Sequence, residues 1–501
     1  MTAAPAEIQT DSVFRPAMLL MCGRTLAFVA TFFIPVVLAR VFAPALFGVY
    51  KQLFLMQSTV YFIVQCGMAT SLYYFLPRSP ADAGKYLANA LLYLGLAGIA
   101  AWGVFVAGAA QLARWMSSPE LAPYLPGMGL YVFLMMLSAP LEMTLISRGR
   151  YLWASASYAL SDLMRAAAFI AAALVFREIG WVVTGAVVVA AARALASGLY
   201  YAAEFRGDLR LDKGLFRRQS AYALPLGAAI LVEILQSNLP QYVVSHIAGP
   251  ALFAVFAVGC LQIPLVDFAA SPSSDVMMVK MQESLAAGRK SAVVGIWHDT
   301  TWRLALLFLP LTGMVLINAR DLIVMLYTAR YAASVPIFMA WTLTIPLVVL
   351  QVDGVMRVFA QTRFLLLLNL MRLAVLAALI RFSLSTFQLL GPVLVMLLAI
   401  LLFKLAALAR MRSLLNVGVA GLLPWGKLGA LTCAALVAAV AGFAVKTHTQ
   451  GPVLVVIAIS SLVYLLAYVA VVWRFGLLDS EVEAIAALWR RTTQVLNWGR
   501  G

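Results

Sequence analysis

The sequence predicts an all-α polytopic membrane protein with about 14 transmembrane helices. Two observations lead to this fold class. Of the 501 residues, 64% are hydrophobic and only 11% are charged, whereas soluble domains carry roughly 25% charged residues. The hydrophobic residues also form long runs separated by charged, proline or glycine residues, and about 20 apolar residues in a helix cross the hydrocarbon core.

Fourteen such runs follow one another along the chain and are interpreted as spans. They lie near residues 16–41, 47–76, 86–113, 121–147, 152–176, 180–203, 220–247, 250–278, 301–318, 335–360, 364–384, 387–410, 427–446 and 452–474. The boundaries are least sharply marked at 299–335, where a short ninth run is followed by the semi-polar stretch 318–331.

The basic residues are distributed unequally between the two sides of the membrane. With the amino terminus inside, the cytoplasmic side carries about three times as many Lys and Arg as the outside. This is the positive-inside bias of membrane proteins, so we expect both termini in the cytoplasm of a bacterial inner-membrane protein. The bias also accounts for the net charge of +16 without a nucleic-acid partner.

A short internal repeat indicates duplication. The segment Pro44-Ala45-Leu46-Phe47-Gly48-Val49-Tyr50 recurs as Pro250-Ala251-Leu252-Phe253-Ala254-Val255-Phe256. One copy joins spans 1 and 2 and the other joins spans 7 and 8. Because the offset is an even number of spans, the two halves would be parallel repeats about an axis normal to the membrane.

Ionisable residues inside spans are candidate functional residues, since each costs roughly 2.5–3.5 kcal/mol at a helix centre and normally faces the interior. The candidates are Arg24, Glu142, Asp162, Arg165, Arg193, Glu233, Asp267, Asp353, Arg357 and Arg372. The pairs Asp162/Arg165 and Asp353/Arg357 have helical spacing and can neutralise themselves. Arg193 and Arg372 can snorkel to lipid headgroups.

No oppositely charged residue lies three or four positions from Arg24, Glu233 or Asp267. These three residues are therefore the stronger candidates for a functional role. A guanidinium at Arg24 suits a diphosphate, which it can hold with two parallel hydrogen bonds. The alternative for Arg24 is an ion pair with Glu233 across two helices.

Polar stripes on two spans also suggest a binding surface. Span 2 carries Tyr50, Gln57, Tyr61 and Gln65 on one face, and span 7 carries Glu233, Ser237 and Gln241, with Gln236 and Asn238 close by. Amides and phenols suit sugar hydroxyls, although amides also hold membrane helices together.

The sequence lacks the motifs of an enzyme or a metalloprotein. The three histidines are far apart, the four cysteines lie in apolar stretches without CxxC spacing, and no nucleotide-binding loop is present. We therefore expect no catalytic residue, no metal and no cofactor. If the protein transports a solute, the energy would come from a proton or sodium gradient, the membrane potential or the lipid gradient itself.

Several short motifs resemble one family. They are Leu38-Ala39-Arg40 running into Phe47-Gly48-Val49-Tyr50, Tyr222-Ala223-Leu224-Pro225-Leu226 at the start of span 7, and Leu326-Tyr327 with Arg330-Tyr331-Ala332-Ala333 before span 10. With the fourteen-span plan, they resemble the polysaccharide-exporter branch of the multidrug/oligosaccharidyl-lipid/polysaccharide flippase superfamily, which includes O-antigen and exopolysaccharide repeat-unit flippases.

The resemblance implies two pseudo-symmetric six-helix bundles around a central cavity, plus two C-terminal helices. The expected divisions are a cytoplasmic N-terminus (1–15), the first bundle (16–203), a cytoplasmic linker (204–219), the second bundle (220–411), helices 13 and 14 (412–475) and a cytoplasmic amphipathic tail (476–501). Spans 1, 2, 7 and 8, with parts of 4 and 10, would line the cavity. Many relatives carry an acidic residue in the second half of span 7, where this chain has Asn238 and Gln241, so the resemblance assigns no coupling residue there.

The function implied is a flippase that moves an undecaprenyl-diphosphate-linked oligosaccharide across the inner membrane by alternating access, for O-antigen, capsule or exopolysaccharide synthesis. Its partners would be the lipid-linked substrate, membrane lipids, a polysaccharide polymerase and glycosyltransferases. Two alternatives stay open. One is a cation-coupled multidrug exporter, which usually has twelve spans, and the other is a membrane glycosyl polymerase or ligase, which typically has a large external loop.

Overall fold

The computed structural model describes residues 11–476, apart from the side chains of residues 11–22, 24 and 290. Within this range the chain is helical and contains no β-strand, which confirms the predicted all-α fold class. Residues 1–10 and nearly all of the expected amphipathic tail at 476–501 lie outside the described residues.

The first half of the described chain contains ten α-helices. They are α1 (Asp11–Val41), α2 (Pro44–Gln65), α3 (Met68–Arg78), α4 (Ala83–Ala107), α5 (Ala109–Trp115), α6 (Leu125–Ser138), α7 (Pro140–Ser147), α8 (Tyr151–Phe176), α9 (Ile179–Glu204) and α10 (Lys213–Gly259). Short 3-10 turns occupy Pro80–Asp82 and Pro119–Leu121.

The second half contains eleven α-helices. They are α11 (Pro264–Ala286), α12 (Lys290–Ile317), α13 (Ala319–Tyr327), α14 (Val335–Thr342), α15 (Thr344–Val348), α16 (Val352–Val358), α17 (Thr362–Phe387), α18 (Gly391–Leu415), α19 (Val419–Leu422), α20 (Trp425–His448) and α21 (Val453–Arg474). Here 3-10 turns occupy Ala329–Ser334 and Gln388–Leu390.

Ten helical stretches of the described chain are long and apolar enough to cross a membrane, and the bent pair α2–α3 makes eleven. The count is below fourteen for three reasons. The stretches 213–259 and 362–415 extend over more than one predicted span, the apolar part of α1 (Thr25–Val41) is short, and α11 carries four charged residues. The protein is therefore a multi-pass membrane protein.

The chain divides into two compact units, residues 1–257 and 258–501. In unit 1, α1 packs on α8, α6 lies between α4 and α9, and α3 contacts α4 and α7. In unit 2, α12 packs against α11 and α20, α20 packs on α21, and α18 contacts α16 and α17. The domain boundaries expected from the sequence stay a prediction.

Within unit 1, hydrogen bonds between side chains join α10 to α2 and α3. Gln52 donates to Ser245 at 2.7 Å, Asn238 donates to Thr59 at 2.7 Å, and Gln219 donates to Ser71 at 3.0 Å. As the residue numbers on α2 and α3 increase, the numbers of their partners on α10 decrease, so α10 runs antiparallel to α2 and α3. Hydrogen-bonded polar pairs of this kind hold membrane helices together, because apolar contacts between helices have no advantage over apolar contacts with lipid.

Both copies of the internal repeat begin helical segments. Pro44 occupies the first turn of α2, and Pro250 follows Gly249, whose φ of 73° interrupts α10. Proline suits the first turn of a helix because its missing N–H would be unpaired there anyway. The copies also touch, because the Gly48 backbone lies directly against the Pro250 carbonyl and leaves no room for a Cβ.

We predict that Gly48→Ala destabilises the protein by about 1–3 kcal/mol, because the added methyl group forces the α2 backbone away from Pro250. The measurement is thermal unfolding of the purified protein in detergent. Gly198→Ala is the matched control, since Gly198 lies inside α9 with open space around its Cβ position and alanine favours a helix by up to about 1 kcal/mol. Equal unfolding temperatures for the two variants would refute the close approach.

Candidate functional site

A buried ion pair forms the centre of a polar cluster in unit 1. The Arg193 guanidinium on α9 lies 2.5 Å from the Glu142 carboxylate on α7, and the Ser157 hydroxyl on α8 donates to the same carboxylate at 3.2 Å. The side chains of Arg193 and Glu142 are 16% and 4% exposed. This pairing corrects the sequence-based interpretation that Arg193 snorkels to a headgroup.

The polar stripe predicted on span 2 lies on α2. The Gln65 amide donates to the Tyr61 hydroxyl at 3.2 Å. Tyr61 also interacts electrostatically with Arg193 and Glu142. Tyr50 is buried and its ring packs between Phe47 and Phe54, while Gln57 is half-buried. The structure thus brings part of this stripe next to the buried ion pair.

The pair Asp162/Arg165 is formed as its spacing indicates, with 2.8 Å between carboxylate and guanidinium. Both side chains belong to α8 and are about one-quarter exposed. A neighbouring carboxylate one turn away offsets much of the cost of placing the guanidinium at membrane depth.

Other predicted site residues are not drawn together. Glu233 on α10 and Asp267 on α11 are exposed, and their carboxylates form no ion pair with described residues. Gln236 is buried and Gln241 is half-buried. Arg24 lies on α1, but its side chain is outside the description, so its role and those of the other predicted residues stay predictions.

Unit 2 contains a polar cavity of about 480 Å³ between α11, α15, α16 and α18. Its lining includes hydroxyls, an amide and charges of both signs, so it can surround a hydrated or ionic group. The polar lining residues are Ser271, Ser274, Asp275, Thr344, Gln351, Asp353, Arg357 and Lys404.

A break in the predicted tenth span shapes this cavity. Residues 349–351 separate α15 from α16, and Pro346 within α15 lacks the N–H that would continue the helical ladder. Two carbonyls at the break accept hydrogen bonds from side chains: Gln351 donates to Val348 at 2.6 Å, and Lys404 donates to Leu350 at 2.8 Å. Backbone irregularity at membrane depth is tolerated where such groups are satisfied or line a cavity.

Asp353 pairs with Lys404 instead of the expected Arg357. The Lys404 ammonium lies 3.7 Å from the Asp353 carboxylate, whereas Arg357 is exposed and pairs with no described carboxylate. Sequence reasoning did not include Lys404 among the candidates, although this residue falls inside the predicted run 387–410.

The two clusters differ in what they can do. The Glu142–Arg193 pair is buried, and with Ser157 it mainly holds α7, α8 and α9 together. The unit 2 cavity has room for a ligand, with Arg357 available for an anion and hydroxyls for neutral polar groups. No group of three or more His, Cys, Asp or Glu in residues 11–476 could hold a metal ion.

We predict that Glu142→Leu destabilises the protein by about 3–5 kcal/mol, because it leaves the Arg193 guanidinium buried without a partner. The double variant Glu142→Leu with Arg193→Met should recover most of this loss. Thermal unfolding in detergent measures both. Asp299→Asn, which disrupts an exposed pair with Arg303 on α12, should change stability by less than about 1 kcal/mol. A double variant no more stable than Glu142→Leu would contradict the pairing.

Comparison with known proteins places these sites in a family context. Residues 37–336, more than half of the chain, match the family described as polysaccharide biosynthesis protein. A comparison with curated protein sequences gave no match.

Solved structures of low sequence identity share the fold. The lipid II flippase MurJ in an inward closed conformation superposes with a TM-score of 0.76 at 12% identity, covering 93% of this chain and 100% of that chain. A multidrug resistance MATE family transporter of the MOP superfamily superposes in its inward-facing conformation with a TM-score of 0.62 at 12% identity, covering 78% and 95%. An outward-facing conformation of such a transporter gives 0.57 at 10% identity, covering 81% and 96%.

The family match and the structural likeness agree. The fold is shared with the lipid II flippase MurJ and with MATE family transporters, and this supports the resemblance found in the sequence motifs. The chain belongs to the polysaccharide biosynthesis protein family.

Proposed function

We propose that this protein is a flippase that translocates an undecaprenyl-diphosphate-linked oligosaccharide across the bacterial inner membrane by alternating access. The product would be used to build a surface polysaccharide such as O-antigen, capsule or exopolysaccharide. The observation that carries the proposal is a charged cavity in unit 2 of a polysaccharide biosynthesis family member. The likeness to a lipid II flippase supports a lipid-linked substrate.

The chemistry of the cavity suits the polar part of such a substrate. The Arg357 guanidinium lines it and pairs with no described carboxylate, so it is available to hold a diphosphate through parallel charge-assisted hydrogen bonds. Ser271, Ser274 and Thr344 offer hydroxyls to the sugars. We propose that Arg24 contributes a second guanidinium, and that Tyr61, Gln65 and Asp353 take part in binding.

The cellular setting follows from the charge distribution. The excess of Lys and Arg on one side supports an inner-membrane protein with both termini in the cytoplasm. The substrate would come from cytoplasmic glycosyltransferases and pass to a polysaccharide polymerase outside, and these enzymes are the partners we propose.

Export of cationic drugs is the second candidate function. It is favoured by the likeness to MATE family transporters and by carboxylates in the unit 2 cavity. A change in drug susceptibility after deletion of the gene, with surface polysaccharide intact, would favour this function over the flippase.

We predict that Arg357→Ala lowers surface polysaccharide by roughly 10-fold or more when it replaces the wild-type protein in a deletion strain. Losing charge-assisted hydrogen bonds to a diphosphate costs about 1.5–3 kcal/mol, and each 1.4 kcal/mol is a factor of about ten. The measurement is the amount of surface polysaccharide per cell, normalised to the amount of protein in the membrane. We expect Arg24→Ala to act in the same direction.

Arg303→Ala is the matched control, because it removes an exposed arginine of unit 2 that lies outside the polar cavity described above. It should leave surface polysaccharide within about twofold of the wild-type level. Wild-type polysaccharide in a strain carrying Arg357→Ala at normal abundance would remove Arg357 from the mechanism. Wild-type polysaccharide in the deletion strain itself would rule out the proposed function.

A further inference from the structure

The Lys404 ammonium occupies an unusual position at the helix break of unit 2. It comes from α18 and lies 2.8 Å from the Leu350 carbonyl oxygen and 3.7 Å from Oδ2 of Asp353. Its side chain is only 12% exposed. A fixed positive charge therefore lies between a main-chain carbonyl and a carboxylate at the wall of the cavity.

This pair of oxygen ligands is the kind that holds an alkali-metal ion in a membrane transporter. Carbonyls at interrupted membrane helices coordinate sodium ions in several transporter folds, and hard cations prefer carboxylate and carbonyl oxygens. An ammonium carries the same charge and offers three N–H donors. Because it is attached to α18, it cannot exchange with ions in solution.

We propose that Lys404 is a tethered counter-cation that fills the position of a sodium ion between Leu350 and Asp353. In the wild-type protein this position then takes no ion from solution, and the carboxylate is neutralised throughout. The inference rests on the proposed function, which it deepens: substrate movement through unit 2 would not be coupled to sodium at this position.

A second lysine in unit 2 pairs with the same two kinds of partner, a main-chain carbonyl and a carboxylate. Lys446 on α20 donates to the Ile317 carbonyl at 2.7 Å and lies 2.5 Å from the Asp321 carboxylate. Ile317 is the last residue of α12, so its carbonyl is free because the helix ends there. Lys446 therefore serves as a structural counterpart, with the same partner types but outside the cavity that Lys404 and Asp353 line.

The setting of Asp353 differs from that of Asp321 in a way that matters. The Asp353 side chain is 43% exposed and lines the cavity, against 26% for Asp321. Removal of the Lys404 ammonium would thus leave a carboxylate and a carbonyl accessible to a small cation.

The test compares thermal unfolding of the purified full chain in sodium chloride and in N-methylglucamine chloride at equal ionic strength. Wild-type protein should have the same Tm in both salts. Lys404→Met, which removes the charge but keeps the length, should have a lower Tm in N-methylglucamine. Sodium should then raise it by about 1–3 °C at roughly ten times the Kd.

Two further variants assign the effect to this position. Lys446→Met should lower the Tm equally in both salts, because Asp321 does not line the cavity and is less exposed than Asp353. The double variant Lys404→Met with Asp353→Asn should lose the sodium response, because the remaining carbonyl is too weak a ligand alone.

The same Tm for Lys404→Met in both salts would overturn the proposal, as would an equal sodium response of Lys446→Met. If Lys404→Met does not fold, the wild-type protein and Asp353→Asn still test the proposal. A sodium-dependent rise in the Tm of the wild type that Asp353→Asn abolishes would overturn the proposal. The absence of a sodium response in both proteins supports it. The experiment measures ion binding and not substrate transport. The inference about Lys404 can therefore be refuted while the flippase function holds, or supported while the flippase function is refuted.

Discussion

Every polar group that lies at membrane depth needs a partner inside the protein, and this constraint organises the whole chain. It makes helices the structure of the described residues, because a helix satisfies its own backbone. Where helices break or end, side chains take over: Gln351 and Lys404 bind carbonyls at the break before α16, and Lys446 binds the last carbonyl of α12. Charges follow the same rule, as Glu142 and Arg193 illustrate.

The same constraint distinguishes the paired charges from the one that we propose to bind substrate. Glu142, Arg193, Asp162 and Arg165 are paired within unit 1 and leave their surroundings neutral. Arg357 is different, because it lines the unit 2 cavity and pairs with no described carboxylate. A ligand that brings negative charge into the cavity would pair with this guanidinium through charge-assisted hydrogen bonds.

Much of the fold could be predicted from the sequence, because hydrophobic runs and local spacing are properties of neighbouring residues. The helical class, the presence of ten or eleven apolar helices long enough to cross a membrane and the Asp162–Arg165 pair follow from such patterns. Partners distant in sequence could not be predicted. Arg193 finds Glu142 across 51 positions, and Lys404 reaches Leu350 across 54, because only the packing of α7 on its neighbours and of α16 on α18 brings them together.

The central claim is that the charged interior serves to carry a lipid-linked sugar across the bilayer. The most direct measurement is translocation of a fluorescent undecaprenyl-diphosphate oligosaccharide in liposomes containing only the purified protein, followed by quenching from outside. Our account expects inward-facing label to become accessible to quencher much faster with protein than in protein-free liposomes. Equal rates with and without active, correctly folded protein would contradict it.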